Sequence, residues 1–154
     1  MASSLNLDTQ TFNPTMRKFG APASCIHNYE YWSVMLRPAQ ITLGALVLAA
    51  FEPVNSFSEL SQDSFNELKI VTSDLEKSLE QAFSYNKLNY LMLMMVDPDV
   101  HFHVIPRYEN SRFFADVEFF DKSWPGPPDL GQVSQTNESL NGKIVSHIKE
   151  NWIH

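Results

Sequence analysis

One segment limits the possible folds more than any other. Between Ser58 and Phe83, apolar residues recur at Leu60, Phe65, Leu68, Val71, Leu75, Leu79 and Phe83. That three-to-four spacing predicts a long amphipathic helix with a single apolar stripe. Ser61, followed by Asp63, supplies an N-cap and a first-turn negative charge. The charged residues of this segment read as a solvated face. A one-sided helix has to lay its stripe on something, and the flanking segments offer strands. "YEYWSVML" (29–36) is rich in aromatic and β-branched residues. "RPAQITLG" (37–44) marks a connection, and "ALVLAAF" (45–51) is a continuously apolar second strand. Two strands so close in sequence are expected to pair antiparallel. After the helix, "LNYLMLMMV" (88–96) predicts a buried strand, with Met92, Met94 and Met95 filling core. "DPD" (97–99) predicts a tight turn into a further strand.

The resulting order is β-β-α-β-β, followed by a possible short strand in "ADVEFF", a proline-rich loop "WPGPPDLG" (124–131) and a short C-terminal helix carrying Leu140, Ile144, Ile148 and Trp152. This is an α+β domain: a mostly antiparallel sheet, one long central helix and a short C-terminal helix. Residues 1–15 are polar and are expected to form a flexible arm, leaving 16–154 as one domain. A length of 154 residues, 44% of them hydrophobic, is enough to bury a core. The net charge of −7 argues against general binding to nucleic acid or to anionic membranes. No apolar run approaches the roughly 20 residues of a membrane helix. Cys25 is the single cysteine, so no intrachain disulfide forms. No charged region followed by an apolar stretch opens the sequence. The expected compartment is the cytoplasm, where the "NES" sequon at 137–139 is idle.

The chemistry concentrates in "DVHFHVIPRY" (99–108). In a strand, Val100, Phe102 and Val104 point one way and Asp99, His101 and His103 the other. The apolar set belongs under the helix; the polar set is expected to line a cleft. Three chemistries suit such a row. A divalent metal would be held by His-x-His with Asp99 or Glu109. Covalent catalysis on a phosphate would use one imidazole as nucleophile. The third is an ordinary polar sheet surface. The metal motif of the cupins needs a glutamate one residue earlier than Glu109 and a glycine soon after, and none follows until Gly126.

"HFHVIPRY", together with "TLGALVL" (42–48) and the β-β-α-β-β order, resembles the histidine triad superfamily over about residues 29–110. "DPDVHFHVIPRY" and the later "D-x-x-WPGPP" are similar to a microbial subgroup of it. The resemblance implies a homodimer and cleavage or transfer at the α-phosphate of a nucleotide, with a dinucleoside polyphosphate or nucleoside phosphoramidate as substrate. It makes His101 the nucleophile and His103 the group that binds and polarises the phosphate. The first triad position is taken by Asp99, which should face the phosphate and raise the pKa of its histidine neighbours. Three further residues are candidates for nucleotide contact: Arg37 at the end of the first strand, Trp32 as a base-pocket wall or a core residue, and Asn89 on the neighbouring strand. No organic cofactor is called for, and a divalent cation such as magnesium is compatible with this substrate class. An enzyme and a nucleotide- or protein-binding module with little turnover both remain open: the intact His101-x-His103 pair favours the first, Asp99 the second. Arg107 is expected to support structure, and His27, His147 and His154 to lie on the surface.

Overall fold

The computed structural model describes residues 11–153. A five-stranded sheet runs in the order β1-β2-β3-β5-β4, with every neighbouring pair antiparallel. Its strands are β1 (Cys25–Asn28), β2 (Trp32–Leu36), β3 (Leu46–Ala50), β4 (Lys87–Leu91) and β5 (His101–Arg107). The long helix α2 (Gln62–Phe83) follows β3, with Ser61 Oγ accepting from the Ser64 amide as its N-cap. A two-stranded ribbon, β6 (Arg112–Phe114) and β7 (Val117–Phe119), leads through the proline-rich loop to α3 (Glu138–Glu150). The α+β expectation and the antiparallel order hold, with β1 and β6 added to the predicted strands.

One face of the sheet carries the main core. Trp32, Val34, Leu36, Leu46, Leu48, Val100 and Val104 meet Val71, Leu75, Leu79 and Phe83 of α2 and Ile144 and Ile148 of α3. Gly44 lets the chain turn beneath this helix. Its φ is +85°, and a Cβ there would come within 2.7 Å of the Phe83 ring. Gln40, wholly buried, braces the same turn by donating to the Arg37 and Ala45 carbonyls and accepting from the Gly44 amide.

The second face is covered by the N-terminal segment. A short helix α1 (Pro14–Lys18) is capped by Asn13, whose Oδ1 accepts from the Met16 amide at 2.9 Å. It brings Phe12 and Met16 onto Cys25, Met35, Val47 and Ala49. The flexible arm expected over residues 1–15 is therefore packed from Phe12 onward, because its few apolar residues close an otherwise bare sheet face; residues 1–10 lie outside the described residues.

Other expectations need correction. The strand predicted over 88–96 stops at Leu91, and Met94 adopts a φ of +53°, outside the extended conformation of a strand. Met95 is 84% exposed rather than core. The polar face of α2 is not merely solvated. Glu67 accepts from the Tyr31 amide at 2.7 Å, and buried Asp74 accepts from Tyr29 Oη at 2.8 Å, so the helix grips the β1–β2 turn. His27 stacks on Trp152, and His147 Nε2 meets the Ala82 carbonyl at 3.0 Å, so neither is a plain surface residue; His154 lies outside the described residues. The sequon's Asn137 caps α3 by accepting from the Leu140 amide.

Candidate functional site

Side-chain alternation along β5 works as the sequence predicts. Val100 and Val104 are fully buried beneath α2, and Phe102 packs with Trp32, Phe57 and Tyr90 on that face. His101 and His103 point the opposite way, opposite Ala49 and Val47 of β3. Their rings lie 5.2 Å apart and nearly perpendicular.

The expected open cleft is closed. His101 is 2% and His103 7% exposed, because the residue after α1, Phe19, lays its ring 5.9 Å from the first imidazole and 5.7 Å from the second. The segment that carries Phe19 is tied to the start of β5. Thr15 Oγ1 donates to Asp99 Oδ2 at 2.8 Å, and the Thr15 amide donates to the same oxygen at 3.3 Å. Lys18 pairs with Asp97 at 2.9 Å. Asp99 thus anchors α1 to the start of β5.

Each histidine has a distinct state. His101 Nδ1 lies 2.7 Å from the Asp99 carbonyl oxygen. A carbonyl only accepts, so Nδ1 donates in this contact and Nε2 is the ring nitrogen left to carry a lone pair. The pKa of His103 is not raised by a neighbouring carboxylate, as the sequence led us to expect, but pushed down to about 4. Burial is the main cause, the positive charges of Arg37 and Lys18 add to it, and Asp97 opposes it. His103 is therefore neutral at pH 7.

Of the three nucleotide-contact candidates, only Arg37 comes to the histidines, close enough for its charge to act on His103. Arg37 Nη1 donates to the Ala39 carbonyl, while Arg37 Nε and His103 Nδ1 are both buried without a partner among the described residues. Trp32 lies on the other face, fully buried, with Nε1 donating to the Ser64 carbonyl at 2.8 Å; it is core and not a base-pocket wall. Asn89 Oδ1 accepts from Arg107 Nη1 at 2.9 Å, in a bracket completed by Arg107 Nε and Nη2 on the two oxygens of Asp121 at 2.7 and 3.0 Å. The aspartate of "D-x-x-WPGPP" is thus the partner of the arginine in "VIPRY", and both are structural. Of the two third ligands the metal reading offered, Asp99 is bonded to Thr15, and neither Asp99 nor Glu109 joins the histidines in a group of three metal-ligating side chains among the described residues.

No protein-family model matches the sequence, and no curated protein matches it at a significant level. The solved structures do match. A histidine triad protein of Sinorhizobium meliloti 1021 superposes with a TM-score of 0.71 at 22% identity, covering 95% of this chain and 99% of the other. The histidine triad fold is this chain's fold. A histidine triad protein of Bradyrhizobium japonicum is similar at a TM-score of 0.69 and 16% identity, over 92% of this chain and 97% of its own. The diadenosine triphosphate hydrolase of Plasmodium falciparum shares the fold at 0.62 and 10%, over 84% and 76%. Within this histidine triad fold, sequence reasoning missed Thr15 and Phe19. A signal was present in "NPTMRKFG": Asn-Pro is a helix start, two basic residues suit a last turn, and glycine follows.

Proposed function

We propose that the chain binds a nucleotide and cleaves or transfers it at the α-phosphorus through His101, acting on a dinucleoside polyphosphate or a nucleoside phosphoramidate. The observation that carries this reading is the contact between His101 Nδ1 and the Asp99 carbonyl, which leaves Nε2 as the nucleophilic atom. In the first step Nε2 forms a bond to phosphorus and the leaving group departs with the electron pair of the broken bond. The ring gains positive charge, which the carbonyl opposite Nδ1–H stabilises. Water then attacks phosphorus, the P–Nε2 electron pair returns to the imidazole, and the nucleoside monophosphate leaves as the water's proton passes to solvent. His103 and Arg37, each with a buried nitrogen that has no partner among the described residues, suit phosphoryl oxygens. On this reading Phe19 swings off the imidazoles as substrate enters. A divalent cation, where one is needed, would come with the polyphosphate, since these residues form no ligand cage.

The second reading, a nucleotide- or protein-binding protein with little turnover, is favoured by the near-complete burial of His101. A substrate panel with and without magnesium separates the two. The expected result is release of nucleoside monophosphate, lost in His101→Ala with the fold retained. Turnover undiminished in that variant overturns the nucleophile assignment; tight nucleotide binding without turnover in the native chain selects the second reading. We place the protein in a reducing compartment such as the cytoplasm, which suits its single, buried cysteine. We also propose a homodimer formed along β4, one of the sheet's two edge strands, where Leu93, Met95 and Val96 just beyond it are exposed.

A further inference from the structure

Two cations act on His103, and they are held in different ways. The positive charges of Arg37 and Lys18 both reach its ring. Arg37 is half-buried, with Nη1 on the Ala39 carbonyl. Lys18 is exposed, and its ammonium donates to both oxygens of Asp97, at 2.9 and 3.0 Å. The lysine side chain keeps 51% of its surface open to water in this pair. An ion pair so exposed is a weak attachment, so a phosphate dianion competes with Asp97 for the lysine.

Lys18 is also joined to the cover over the histidines. It is the last residue of α1, and Phe19 is the C-cap. Lys18 Nζ lies 6.0 Å from the centre of the Phe19 ring, and that ring lies 5.9 Å from the His101 ring and 5.7 Å from the His103 ring. A movement of the ammonium therefore removes a contact of the covering ring. Gly20 follows at a φ of +95°, a joint without a Cβ. The chain from Lys18 to Gly20 can thus shift while Thr15 stays on Asp99 and Met16 stays on the sheet.

We propose that Lys18 is both a phosphate-binding residue of the histidine site and its latch: a ligand with two adjacent phosphates draws the ammonium from Asp97, and the same movement takes Phe19 off His101 and His103. This rests on the nucleotide reading above and gives it a preference for polyphosphates. Arg37 is the cation for the phosphate seated at the histidines, and Lys18 meets the next phosphate along the chain. A ligand with one phosphate engages Arg37 alone and gains nothing from Lys18.

The test titrates inorganic pyrophosphate and orthophosphate into the native chain and into Lys18→Gln, Asp97→Asn and Arg17→Gln. The His103 ring signals report phosphate binding, and nuclear Overhauser contacts from Phe19 to His101 and His103 report the cover. In the native chain pyrophosphate should shift the His103 signals and abolish the Phe19 contacts at saturation. Lys18→Gln should weaken pyrophosphate about tenfold and orthophosphate by less than about twofold. Asp97→Asn should tighten pyrophosphate about threefold and weaken the Phe19 contacts before any ligand is added. Arg17→Gln removes an exposed charge one position away and should change either affinity by less than about twofold. A loss in Arg17→Gln equal to that in Lys18→Gln would overturn the assignment, because the effect would be one of general charge. So would Phe19 contacts that persist at saturation, or His103 signals that pyrophosphate leaves unmoved. Release of nucleoside monophosphate by the native chain, with Lys18→Gln unaltered in affinity and cover, would overturn the latch and leave the proposed function standing. The expected pyrophosphate pattern in a chain that turns over no nucleotide would sink the catalytic reading and keep Lys18 as a phosphate ligand.

Discussion

His103 shows how a residue's neighbours outweigh its type. Its pKa falls from an ordinary value near 6.5 to about 4, so between those values the unfolded chain binds a proton that the folded chain refuses. Stability should therefore fall as pH drops from about 6.5 to about 4, and this contribution should be flat outside that window. Urea midpoints across that range will show the slope, and His103→Gln should reduce it. Arg107 carries a larger stake. Its side chain and that of Asp121 are 5% and 3% exposed, so Arg107→Leu leaves a buried carboxylate without its cation. A loss of about 3–5 kcal/mol is expected in denaturant titrations. The direction in which each β5 side chain points was legible from alternation alone. Whether the histidines are open or covered was not, because their cover comes from Phe19, 82 and 84 positions earlier in the chain.

At the level of elements, α2, α3 and the strands β2, β3 and β5 were legible, and α1, β1 and β6 were not. The helix over Gln62–Phe83 announces itself by its stripe and its Ser61 cap, and Ser61→Ala should cost about 1 kcal/mol. β1 has only four residues, and α1 only five, too few for any period to emerge. Yet α1 governs access to the histidines. Its attachment to β5 depends on Thr15, whose hydroxyl and amide both reach Asp99. Thr15→Val keeps the shape and the amide contact but removes the hydroxyl bond. The carboxylate then loses its shorter contact, at a cost of about 1–3 kcal/mol. Loosening this strap should also speed acylation of His101 and His103 by diethyl pyrocarbonate, followed by peptide mass mapping. A rate equal to that of the native chain would show that α1 does not limit access.

For the molecule as a whole, the sheet ends on β4 at one side, and the chain just beyond it exposes Leu93, Met95 and Val96. Sedimentation at micromolar concentration should give about twice the 17.6 kDa chain mass, and Met95→Lys should shift the population toward single chains. A native chain sedimenting as a monomer would count against pairing along this edge.

The bracket of Asn89, Arg107 and Asp121 bears on where this domain can be cut. Asp121 also accepts from the Tyr108 amide at 3.0 Å, and the Ser134 amide returns to the Gln40 carbonyl at 2.7 Å. The stretch after β5 is thus bonded to the sheet rather than appended to it. A fragment ending near Asn110, which keeps every strand of the main sheet and the whole long helix, would carry Arg107 without its carboxylate and the main core without Ile144 and Ile148. Such a fragment is a poor choice for expression, and proteolytic nicking in the proline-rich loop should leave two pieces that stay together until the entire molecule unfolds.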